Sequence, residues 1–189
     1  MIKKFQNICI MFILYAMCGW IYEEILVLKV HHTFFNRGFL FGPWLPVYGF
    51  GGLIIYIIFK KLIQNPIKFK NKYNINIIIL FIGISLLATI VELLATYIVE
   101  LTGTNFNSLW NYSNRFLNFQ GRIALWPSLR FGFLGLTIIY IALPIYEKLK
   151  NISTNKKSIN IILWIIISLF FIDIILRIPF GNNFTGPVT

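Results

Sequence analysis

A chain of 189 residues that is 58% hydrophobic and 12% charged, with a mean hydropathy of +0.76, cannot bury its apolar side chains in one small aqueous core. It needs lipid, and the expected class is all-α: a polytopic transmembrane helical bundle forming one integral membrane domain over residues 1–189. The net charge of +11 does not imply nucleic acid, because the cations flank apolar stretches, where they set topology and meet anionic membrane lipid.

A spanning helix requires roughly 20 mostly apolar residues, and about five stretches qualify: 5–28, 39–59, 74–101, 123–146 and 159–178. The first follows Lys3 and Lys4 and runs past Cys18 to Leu28, too long for a signal-peptide core, so it is expected to stay as a span. Cys9 and Cys18 read as small apolar helix residues, and no metal site or cofactor is expected.

The second span opens on NRGFLFGPWLPVYGFGG from Asn36, so its outer end is expected to be broken by glycine and proline. Two readings stand. One is a discontinuous segment whose free backbone groups line a site; the other is close packing through Gly38 and Gly42. The third span carries Glu92 and Glu100 in its later part, with Ser85, Ala88, Glu92 and Thr96 along one stripe. The outer segment 102–122 then alternates Phe106, Trp110, Tyr112, Phe116 and Phe119 with amides and arginines, which suits an interfacial belt or a cap over a cavity. Arg122 and Arg130 open the fourth span, and Asp173 and Arg177 close the fifth.

Orientation follows from the lysines. Lys3 and Lys4, the loop from Lys60 to Tyr73 and the loop from Glu147 to Ser158 fall on one side of a five-span chain. That places the N-terminus in the cytoplasm and the C-terminus outside a plasma membrane. All five arginines, and every acid except Glu147, lie toward the opposite side. An unpaired charge near the bilayer centre costs roughly 2.5 to 3.5 kcal/mol, so Glu92, Arg130 and Asp173 must pair, neutralise or meet water. They form either a buried ion network that fixes helix register or an outward-facing charged pocket for a small anionic or zwitterionic ligand or lipid headgroup.

The blocks Gly19-Trp20-Ile21-Tyr22-Glu23, NRGFLFGPWLPVYGFG from Asn36, Glu92, and LWNYSNRFLNFQGRIALWPSLRFGFLG from Leu109 resemble the CmpB-type ABC-transporter type IV membrane proteins. The resemblance runs from about Tyr15 to Pro144. It implies a multi-pass membrane protein of a bacterial family with a transport-related name, and it draws attention to Glu23, Asn36, Arg37, Glu92, Trp110, Tyr112, Asn118 and Arg122 at matching positions. Arg130 and Asp173 join this candidate ligand-binding set on charge and depth alone; no catalytic residue is assigned.

The chain lacks the G-x-x-x-x-G-K-[ST] phosphate loop, so an ABC system would need a separate ATPase or other membrane subunit as partner. Small-residue stripes also allow a homo-oligomer. The expected function is a permease-like subunit, and two alternatives remain: a membrane enzyme acting on lipid headgroups through Glu23 or Glu92 as general base, and a non-catalytic assembly subunit of a membrane complex.

Overall fold

The computed structural model describes residues 2–32, 34, 36, 40–65, 67–69, 73–101 and 111–180. Helices α1 (Ile2–His31), α2 (Pro46–Gln64), α3 (Asn76–Leu101), α4 (Leu125–Thr137), α5 (Leu143–Asn155) and α6 (Lys157–Phe180) dominate it. A π-helical turn, Ile138–Ala142, joins α4 to α5. Among the described residues, five helical stretches are long and apolar enough to cross a membrane: Ile2–Lys29, Pro46–Gln64, Asn76–Ile98, Leu125–Ser153 and Lys157–Arg177. A two-residue antiparallel pairing of β1 (Lys68–Phe69) with β2 (Tyr73–Asn74) is the sole strand pair among the described residues.

Two boundaries differ from the sequence reading for physical reasons. The second span was expected from residue 39 but becomes helical only at Pro46. Gly42 and Leu45 each precede a proline, which disfavours helical backbone at both, while Pro46 suits a first helical turn. The loop expected from Glu147 to Ser158 is helical to Asn155, and the chain breaks at Lys156, whose backbone is extended. Pro144 was expected to stand near the end of the fourth span. It has no N–H to offer, and the preceding π turn, in which the Leu143 N–H reaches the Ile138 carbonyl, absorbs the misfit so the helix continues.

The described chain divides into two compact units: one built from residues up to Ile57 and from Thr137 onward, the other from Ile58 to Leu136. In the first unit α1 packs against α5, α6 and the π turn. Its core includes Ile10, Ile13, Tyr15 and Ala16 of α1 and Leu163, Ile167 and Phe170 of α6. Phe12 stands edge-on to Phe50 and Phe170, with ring centroids 4.9 and 5.5 Å apart. At the start of both helices, Gln6 Nε2 donates to Asn160 Oδ1 at 2.7 Å. Gly19, Gly49 and Gly52 let the aromatic rings of Tyr48, Phe12 and Tyr15 sit against bare backbone.

In the second unit α3 and α4 approach through glycine again. Gly132 faces Ser85 and Phe81, and Gly135 faces Ile84. Hydroxyls join the seam: Thr89 Oγ1 lies 2.7 Å from Ser128 Oγ, and Ser128 Oγ lies 2.9 Å from the Ala124 carbonyl. Thr89 Oγ1 also lies 2.7 Å from the Ser85 carbonyl, which can only accept, so Thr89 donates to Ser85 and Ser128 donates to Thr89 or to the Ala124 carbonyl. The Asn76 amide donates to the Leu62 carbonyl at 3.0 Å, tying the start of α3 to the end of α2.

Candidate functional site

Arg37 and Trp110 lie outside the described residues; the other eight candidate residues fall into two sets, one in each unit.

Glu23, Asn36 and Asp173 belong to the first unit, around the elbow that precedes α2. The Trp44 N–H donates to the Gly42 carbonyl at 2.9 Å, a tight turn centred on Pro43. This turn aims the Phe41 and Gly42 amides outward from the chain, and both end on Asp173: Phe41 N to Oδ1 at 3.0 Å and Gly42 N to Oδ2 at 2.8 Å. Trp44 Nε1 adds a third donor at 2.7 Å to Oδ2. Asp173 is buried on the same α6 face as Leu163, Ile167 and Phe170. Neutral N–H groups therefore compensate this acid. The Arg177 guanidinium lies over the Phe41 ring, 4.5 Å from its centroid.

The elbow is tied to α1 as well. The Leu45 N–H donates to the Ala16 carbonyl at 3.1 Å, and the Tyr48 hydroxyl donates to Glu23 Oε1. Asn36 accepts from Trp20 Nε1 at 2.7 Å and donates to the Phe41 carbonyl at 2.7 Å. Trp44 and Tyr48 were not among the candidate site residues, although the Gly-Pro-Trp-Leu-Pro pattern marked the segment as irregular. The Phe41 and Gly42 amides are free of helix bonding, as the discontinuous reading expects; of the packing pair, Gly38 lies outside the described residues and Gly42 faces Trp44 of its own turn.

Glu92, Tyr112, Asn118, Arg122 and Arg130 belong to the second unit. Glu92 projects from α3 within the span, and the Tyr112 hydroxyl donates to its Oε1 at 3.0 Å. Its second oxygen, Oε2, is buried and has no hydrogen-bond partner among the described residues. Arg122 is turned toward Glu100, with Nη2 2.8 Å from both carboxylate oxygens, and its guanidinium lies 4.5 Å from the centroid of the Tyr97 ring. Glu100 and Tyr97 are further partners that sequence reading did not assign.

Tyr112 is delivered by a folded loop. The Tyr112 N–H donates to the Gly121 carbonyl at 2.8 Å and the Phe119 N–H to the Ile123 carbonyl at 2.9 Å. Asn118 directs its amide nitrogen to the Ser113 and Arg115 carbonyls at 3.0 Å each, and its oxygen accepts from Gly121 N at 3.2 Å. Leu117, Gln120 and Gly121 take left-handed backbone, with φ of 49°, 53° and 69°. Only glycine does so without steric cost, so the Asn118 bonds hold a conformation the other two resist. Arg130 stands apart on the exposed side of α4.

Each unit meets its charged residues differently. Asp173 is saturated, Arg122 is matched to an acid, and Glu92 is half satisfied. Among known proteins, no curated protein and no solved structure matches the chain. A family model does, over residues 10–178, a stretch that takes in most of the first span and all of the other four. Five apolar spans and this match make the chain a multi-pass membrane protein, and it belongs to the family described as "Putative ABC-transporter type IV".

Proposed function

We propose that this chain is a permease-like membrane subunit acting with a separate ATPase, and that Glu92 receives the cationic group of a small zwitterionic solute or lipid headgroup from the outer side of the membrane. The observation that carries this reading is the buried Oε2 of Glu92, which has no hydrogen-bond partner among the described residues. A carboxylate inside a span costs a few kcal/mol unless compensated, and such a group marks a ligand or ion path by default. Tyr112 holds Oε1 and leaves Oε2 as the acceptor for an incoming donor. A zwitterion fits better than a simple anion, because the group left open is an acid and Arg122 already faces Glu100.

The test is complementation of a deletion strain with wild type, Glu92→Gln and Glu92→Asp, followed by mass spectrometry of intracellular solutes and lipids. Glu92→Gln reproduces the deletion profile at unchanged membrane abundance, and Glu92→Asp falls between. A wild-type profile from Glu92→Gln overturns the reading. The lysine distribution supports a cytoplasmic N-terminus. In a background with Cys9 and Cys18 replaced by alanine, Ser113→Cys should react with an impermeant maleimide on intact cells and Lys4→Cys should not; the reverse pattern inverts the topology.

A further inference from the structure

We infer that Trp126 and Arg130, one turn apart on the exposed side of α4, form a binding site for the phosphate of an anionic membrane phospholipid. α4 buries Ser128, Gly132, Leu134 and Gly135. Trp126 and Phe133 are 57% and 62% exposed and Arg130 is exposed with them. Positions 126, 130 and 133 share one helix stripe.

Arg130 is a permanent cation with five N–H donors. The ion pairs among the described residues are Arg122 with Glu100 and Lys150 with Glu147, and neither uses it. It also sits inside the apolar span Leu125–Ser153, where an uncompensated guanidinium is costly. At 1.5 Å rise per residue its Cα lies about 7 to 8 Å along the axis from the start of α4.

Residues four apart on one helix face are neighbours, so one ligand can meet both the Arg130 guanidinium and the Trp126 indole. Indole Nε1–H is a donor only, and guanidinium offers paired donors. Together they match the two non-bridging oxygens of a phosphodiester, the anion that lipid presents to an exposed membrane helix near its end. Neither residue belongs to the Ser85–Thr89–Ser128 seam or to the Glu92 site. The inference therefore stands apart from the reading of Glu92.

The experiment delipidates purified protein, reconstitutes it with phosphatidylglycerol or phosphatidylcholine, and counts retained lipid by native mass spectrometry. Wild type retains phosphatidylglycerol in preference to phosphatidylcholine. Arg130→Gln lowers that retention about tenfold, as loss of a charge-assisted pair predicts; Trp126→Phe lowers it less, and Arg130→Lys is intermediate. Arg115→Gln leaves it unchanged. Retention of phosphatidylglycerol by Arg130→Gln equal to that of wild type overturns the site. A changed oligomer distribution in Arg130→Gln with unchanged lipid also overturns it and assigns the face to a second copy.

Discussion

Asp173 and Glu92 are both acids set in apolar spans, yet their surroundings treat them oppositely. Asp173 is closed in by the elbow, with two backbone amides and an indole N–H aimed at its two oxygens. Glu92 has one phenol on one oxygen and a buried second oxygen with no partner among the described residues. A fully satisfied buried acid fixes structure, because every group around it depends on its charge and shape. A half-satisfied one stores a cost that a ligand relieves. The difference separates the acid that builds the elbow from an acid whose second oxygen the described residues leave unmet.

The sharpest way to break this comparison is to remove each acid in turn. Asp173→Ala leaves three N–H donors without acceptors and should destabilise the protein by about 3 to 5 kcal/mol, read as denaturant unfolding in detergent. Asp173→Asn should recover little, since its amide nitrogen puts a donor where an acceptor is required. Glu92→Gln keeps an oxygen for the Tyr112 hydroxyl and removes a buried charge, so its stability should change by less than about 1 kcal/mol. Equal destabilisation by Asp173→Ala and Glu92→Gln would mean that both acids are structural.

The next effect compares how each unit uses glycine. A Cβ at Gly19 would overlap Tyr48 at its Cβ, Cγ and Cδ2, atoms at the root of a ring that also bonds Glu23 and cannot swing aside. A Cβ at Gly132 would meet the Ser85 hydroxyl, which can rotate, and the outer edge of the Phe81 ring at 2.8 and 2.9 Å. Gly19→Ala should therefore cost about 2 to 3 kcal/mol and Gly132→Ala about 1 kcal/mol. The same unfolding assay ranks them, and a reversed order would place the tighter helix contact in the second unit.

The spans were legible because hydropathy over some 20 residues is a local property. The irregular elbow was legible too, since Gly42-Pro43-Trp44-Leu45-Pro46 excludes helix by steric rules alone. What these groups bind was not. Asp173 finds its donors about 130 residues away in sequence, and those donors are neutral, so a search for a matching cation passes over them. Trp44 reads as one more interfacial aromatic until its indole N–H is seen on that carboxylate. Asn118 looks like a ligand donor from its setting, but its amide closes the loop that carries Tyr112. The continuation of the helix beyond Tyr146 was hidden because Glu147, Lys148 and Lys150 read as a polar loop.

The smallest expected effect tests whether a matched pair beside Glu92 shares its importance. Arg122 and Glu100 meet at 2.8 Å, but the Glu100 side chain is 38% exposed, so solvent and salt screen their attraction. Glu100→Gln should cost no more than about 1 kcal/mol, with the loss shrinking as salt is raised. Arg122→Gln should cost somewhat more, because it also removes the guanidinium from the Tyr97 ring. A double-mutant cycle isolates the charge contribution from the stacking one. Coupling as large as the loss from Asp173→Ala would make the Arg122 pair a second structural lock. In that case Glu92 would share its unit with a rigid anchor, and the contrast with Asp173 would rest on Glu92 alone.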